Sequence, residues 1–124
     1  MTPEEHRGKA EQIERALRKC GPDDYEMKIE AAMLAGTHWL NLILHRTGVT
    51  APANDVLHTY MLVVNELRRL RVGEAQAVDA LTEIEDLRPA YVRGNLPGGE
   101  RIAERALALL AVIRKRADEC GEKS

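Results

Sequence analysis

Aromatic side chains are scarce: the chain has one tryptophan, three tyrosines and no phenylalanine in 124 residues. So few rings argue against a surface that stacks successive bases along a single strand. Cysteine is scarcer still. Cys20 and Cys120 lie at opposite ends, each followed by glycine, so they supply no disulfide framework and are expected as free thiols. No uncharged apolar run reaches the roughly 18 residues of a membrane span, and the opening MTPEEHRGKAEQ is too polar for a signal peptide. Those two absences predict a soluble, cytoplasmic protein. The formal net charge of -2, with both signs interleaved, creates no global field for nucleic acid or anionic membrane, so such binding needs a local patch. Period-two alternation, glycine-rich phosphate loops after a strand, and serine or cysteine nucleophiles beside a base are also missing.

What the sequence does carry is helical periodicity, in a length that makes one domain over residues 1–124. The longest apolar stretch, Met27–Thr47, predicts a central helix. Ile29, Ala32, Met33, Gly36, Trp39, Leu40, Ile43 and Thr47 form its core stripe, with Gly36 at a close helix crossing. The opposite side holds Leu34, His38, Asn41, Leu42 and His45, too apolar for a solvated back, and is expected to be an interface covered by a second copy of the chain.

Thr2-Pro3-Glu4-Glu5 reads as a cap, a proline at the first helical position and acids in the first turn. The short helix that follows is lightly anchored by Ile13, Ala16, Leu17 and Cys20, and Gly21-Pro22 stops it. Asp23 and Asp24 cap the central helix, which runs to Arg46. After the connection Gly48–Asn54, a third helix is expected from Asn54 or Asp55, with Val56, Tyr60, Val63, Val64, Leu67 and Leu70 inward and His58, Asn65 and Arg69 opposite. A turn at Arg71-Val72-Gly73 leads to a fourth helix, Glu74–Leu87, with Ala77, Leu81 and Ile84 inward, and Pro89 ends it and disfavours helix at Arg88. Beyond the break Arg93–Gly99, the last helix, Glu100–Cys120, carries the stripe Ile102, Ala106, Leu109, Ile113, Ala117 and Cys120. The fold class that follows is all-α: an antiparallel bundle of four main helices with a short N-terminal helix.

Few residues offer chemistry. His38 and His45 share a face but stand seven residues apart, about 10 Å along a helix, too far for one ion. They are read as hydrogen-bonded polar residues, and no metal ligand is assigned. Glu83, Glu85 and Asp86 lack a partner set of acids or histidines, so they are read as a solvated face. Arg68, Arg69 and Arg71 at one helix end and Arg88 and Arg93 at another would gather around Tyr91 into a small cationic patch if the ends meet, although arginines there also complement helix dipoles.

The order AAMLAGTHWLN, then DVLHTY, then LTEIEDLRPAYVRGN leading into an apolar terminal helix resembles the HEPN superfamily of small helical bundles over about residues 25–117. The resemblance implies a dimer, and either a metal-independent ribonuclease or a partner of a nucleotidyltransferase in a toxin and antitoxin pair. The family signature is an arginine followed after four to six residues by histidine. Arg88 matches the arginine, but Arg93, Gly94 and Asn95 stand where the histidine belongs. Losing the proton-handling group leaves charge stabilisation, so phosphate binding is expected without catalysis, at Arg88, Tyr91, Arg93 and Asn95. The expected partners are a second copy of the chain, a protein, or an RNA or nucleotide phosphate, with no cofactor and no membrane. The alternatives are a ribonuclease or toxin–antitoxin component, and a metal-binding helical-bundle enzyme.

Overall fold

Thr2 opens the first helix through a reciprocal pair of hydrogen bonds. Its hydroxyl accepts from the Glu5 amide at 3.2 Å, and the Glu5 carboxylate accepts from the Thr2 amide at 3.1 Å. The computed structural model describes residues 1–94 and 96–121, which form four α-helices and, among the described residues, no strand. They are α1 (Pro3–Leu17), α2 (Tyr25–Arg46), α3 (Val64–Tyr91) and α4 (Gly99–Gly121), with a single 3-10 turn at Thr59–Met61. Among the described residues, no helix is long and apolar enough to cross a membrane.

Side-chain pairs give the topology. Glu4 meets Arg46 and Glu14 meets Trp39, so α1 and α2 are antiparallel. Glu30 meets Arg88 between α2 and α3, and Glu83 and Glu74 meet Arg105 and Arg116 between α3 and α4. The bundle therefore runs up, down, up, down. α2 packs against all three other helices, whereas α1 packs closely on α2 alone, so α2 is the central element of the bundle. Gly36 is where they close on α3: a Cβ there would lie 3.2 Å from Ile113 and 3.3 Å from Leu81.

The expected third and fourth helices are one element, α3, bent where Glu74 leaves helical geometry (φ -145°, ψ 60°) just after the anticipated turn. Its start is later than the periodicity suggests, because the residues of 54–59 are engaged elsewhere. The Asp55 carboxylate is taken by His6 and His45, both backbone polar groups of Val56 by the Asn41 side chain, and the Thr59 amide by Glu85. Of the expected stripe, Tyr60, Val63 and Val64 are consequently exposed. Helix α3 also continues through Pro89 to Tyr91, and Arg88 keeps helical geometry. At the start of α2, Asp24 makes no cap bond, and its carboxylate instead accepts from the Gly21 amide at 2.7 Å.

The second face of α2 is covered by the chain itself. Asn41, Leu42 and His45 are buried, and His38 is half-buried. The cover comes from α1, which buries His6 and Ala10, and from the strap between α2 and α3. Burying Leu42 therefore needs no second copy, and of the expected interface only Leu34 is open, at 48% exposure. Neither Cys20 nor Cys120 is in a disulfide.

Candidate functional sites

Two polar clusters are built into the bundle, one on each side of the strap. The first joins α1, α2 and residues 50–55. His6 Nε2 and His45 Nε2 each lie 2.8 Å from the same oxygen of Asp55, and the other oxygen accepts from the Met1 amino group at 3.1 Å. His6 Nδ1 faces His38 Nδ1 at 2.9 Å, while His45 Nδ1 faces the Thr50 hydroxyl at 2.8 Å and the Thr50 carbonyl at 3.2 Å. Burial pushes His6 below the ordinary imidazole range, although the Asp55 hydrogen bond opposes it. Burial and then the neighbouring His6 do the same to His38. Burial by itself would raise Asp55, but the hydrogen bonds from His45, His6 and the Met1 amino group outweigh it and hold the carboxyl at about 2.

His6 was not singled out by the sequence, yet it completes this cluster. The available signal was the spacing His6, Ala10, Ile13, Leu17, which extends the buried stripe of α1 by a turn. Asp55 was legible only as a residue near the start of the expected third helix. The structure thus brings His38 and His45 into one network through His6 and keeps His58 out of it.

The second cluster lies on the C-terminal half of α3. The Glu85 carboxylate is buried, which corrects its reading as part of a solvated face. It accepts from the Thr59 amide at 3.1 Å, from the Thr59 hydroxyl, and from His58 Nδ1 at 3.0 Å. Glu85 falls one helical turn after buried Leu81, so its register does place it on the core side. Glu83 instead pairs with Arg105, and Asp86 is exposed.

Beside Glu85 is a cavity of about 260 Å³ lined by Tyr60, Glu85, Asp86, Arg88, Pro89 and Arg93. The ring of Tyr60 stacks on His58, with centroids 4.8 Å apart and planes at 21°, and is itself 63% exposed. Arg88 and Arg93 both line this cavity, but Tyr91 packs against the core and Tyr60 supplies the aromatic ring. Asn95 lies outside the described residues. Arg88 Nε donates to Glu30 at 2.5 Å, and this bond, followed by the interaction with Tyr60, raises its pKa against the opposing effect of burial. The partner is on α2, not Glu85 or Asp86. Arg93 is exposed and has no ion pair among the described residues.

Arg68, Arg69 and Arg71 do not join this cavity. They sit near the opposite end of α3, about 25 Å away along the axis, where Arg69 donates to the Val49 carbonyl and Arg71 pairs with Asp79. A larger hollow of about 580 Å³ at Tyr25 and Gly98–Glu104 is bordered by the exposed charged residues Glu100, Arg101 and Glu104 and gathers no buried polar group.

Comparison with models of known protein families, with curated proteins and with solved structures finds no match for this chain.

Proposed function

We propose that the chain is a HEPN-like dimeric binding protein that holds an RNA or nucleotide phosphate at the Tyr60–Arg88–Arg93 cavity without cleaving it. The observation that carries this reading is the exposed Tyr60 ring, stacked on His58 within the same cavity as two arginines. A base can stack on Tyr60 while Arg93 meets a phosphate oxygen, which combines the two contacts most used for unpaired nucleotides. The charge balance keeps the binding weak: Arg88 and Arg93 stand against Glu85, Asp86 and the Glu30 that already occupies Arg88. Arg93 is the main cation, so affinity near 10⁻⁴ M and a salt slope of roughly one phosphate are expected. A second copy is the proposed cover for Leu34, Leu57 and Met61, which remain 48–67% exposed.

Titrating a labelled single-stranded RNA at low and moderate salt tests the reading. Binding should weaken with salt and be lost in Tyr60→Ala and Arg93→Ala. Binding absent at low salt, or untouched by both changes, would return the cavity to a structural role. Light scattering at micromolar concentration tests the dimer, and a monomer mass rejects it.

One observation favours a second reading, a metal-independent ribonuclease. His58 Nδ1 donates to Glu85, which leaves Nε2 with a lone pair on a partly exposed ring, the arrangement of a general base oriented by a carboxylate. The histidine missing after Arg88 would then come from the strap. RNA cleavage that disappears in His58→Gln selects this reading, whereas binding that survives His58→Gln with no cleavage in the parent selects the first.

A further inference from the structure

We infer that His6, His45 and Asp55 form a binding site for one divalent transition-metal ion, independent of the phosphate reading above. His6 Nε2, His45 Nε2 and an Asp55 oxygen all lie within 4.8 Å of one another, and the two nitrogens are each 2.8 Å from the same oxygen. A tetrahedral ion with bonds of about 2.1 Å keeps its ligands about 3.4 Å apart, so each nitrogen–oxygen pair opens by about 0.6 Å and the two nitrogens, within 4.8 Å of each other, settle to the same spacing. Two imidazoles and one carboxylate suit zinc, cobalt, nickel or iron, and disfavour magnesium and calcium, which prefer oxygen alone. The remaining coordination positions fall to water, because Asp55 is partly exposed while both imidazoles are buried.

The groups behind the ligands fit the same purpose. Metal-bound histidines commonly donate their second ring N–H to a fixed acceptor, which orients the ring. Here His45 Nδ1 faces the Thr50 carbonyl and hydroxyl, and His6 Nδ1 faces His38 Nδ1. Without an ion, each Nε2–H points at Asp55. With an ion, each proton sits on Nδ1, where Thr50 and the lone pair of His38 accept it; His38, whose Nδ1–H donates to His6 when no ion is bound, then carries its own proton on Nε2, so three neutral imidazoles change tautomer with no net loss of a proton. The amino group of Met1 stays on the other oxygen of Asp55.

Three of the four histidines of the chain meet in this one cluster, drawn from two helices. The spacing of His38 and His45 hides the site, because His38 stands behind the ligands and the second imidazole comes from α1. An ion held there would staple α1, α2 and the strap together.

A hydrogen-bonded network with no ion is the competing account, and cobalt(II) separates the two. The full chain, without an affinity tag, is stripped with a chelator and titrated with cobalt chloride and then with zinc chloride. We expect saturable uptake of one cobalt per chain with visible absorption bands, displacement by zinc, and at least about tenfold weaker binding in His6→Gln and in Asp55→Asn. Proton NMR of the cobalt-loaded parent needs no variant, and should show the solvent-exchangeable ring N–H protons of His6 and His45 shifted far outside the diamagnetic range. No saturable uptake below about 1 mM, unshifted ring protons, or affinity unchanged in both variants would overturn the site.

Discussion

Arg116 of α4 grips Glu74 at the bend of α3, with Nε donating at 2.9 Å and a terminal nitrogen at 2.6 Å. Glu74 is buried and is the residue that leaves helical geometry inside α3. The two-pronged bond raises the Arg116 pKa against the opposing effect of burial. Arg116→Met removes the charge that satisfies a buried carboxylate, and should destabilise the fold by about 2 to 4 kcal/mol in urea unfolding. Adding Glu74→Gln should recover part of that loss. A change below about 0.5 kcal/mol in the single variant would mean that water takes over the role of the arginine.

Gly36 has a packing reason to lack a side chain. A Cβ would meet the ends of Ile113 and Leu81, which can yield a few tenths of an ångström but not the volume of a leucine. Gly36→Leu should therefore cost about 1 to 3 kcal/mol despite its better helix propensity. Thermal melting that shows stabilisation would contradict the close crossing of α2, α3 and α4.

The helices were readable because their apolar spacing reflects burial directly, as in the stripe Ile29, Met33, Gly36, Leu40, Ile43 of α2. The strap was not. Val56, Tyr60, Val63 and Val64 have a helical period, yet the local signal lost to tertiary hydrogen bonds from Asn41 and Glu85, which no window of neighbouring residues contains. The sites suffered in the same way. Arg88 and Arg93 could be grouped from the sequence because they are close in it, whereas the pairing of His58 with Glu85 spans 27 residues and that of His6 with Asp55 spans 49.

Asn41 measures how firmly the strap is held. Its amide donates to the Val56 carbonyl and accepts from the Val56 amide, both at 2.7 Å, in a buried position. Asn41→Ala leaves both backbone groups unpaired and should cost about 2 to 4 kcal/mol. Hydrogen exchange adds a local readout, since the amides of Val56 and Thr59 should lose protection before those of α2 and α4. Equal loss across the chain would mean that the strap unfolds only with the whole bundle.

The phosphate reading makes a stronger demand at Glu30, which holds the guanidinium of Arg88 from α2. Glu30→Gln keeps the shape of the side chain but gives up its charge, so Arg88 becomes available to a ligand in the cavity it shares with Arg93. One additional phosphate contact on a single strand is worth about fivefold in affinity at 0.1 M salt, and it steepens the dependence on salt by the same contact. RNA binding by Glu30→Gln should therefore be tighter than that of the parent at 50 mM salt and converge on it as salt rises. The double variant Glu30→Gln, Arg88→Ala should return to parental affinity. If Glu30→Gln binds no better at any salt concentration while melting normally, Arg88 does not face the ligand, and any phosphate contact in the cavity falls to Arg93 alone.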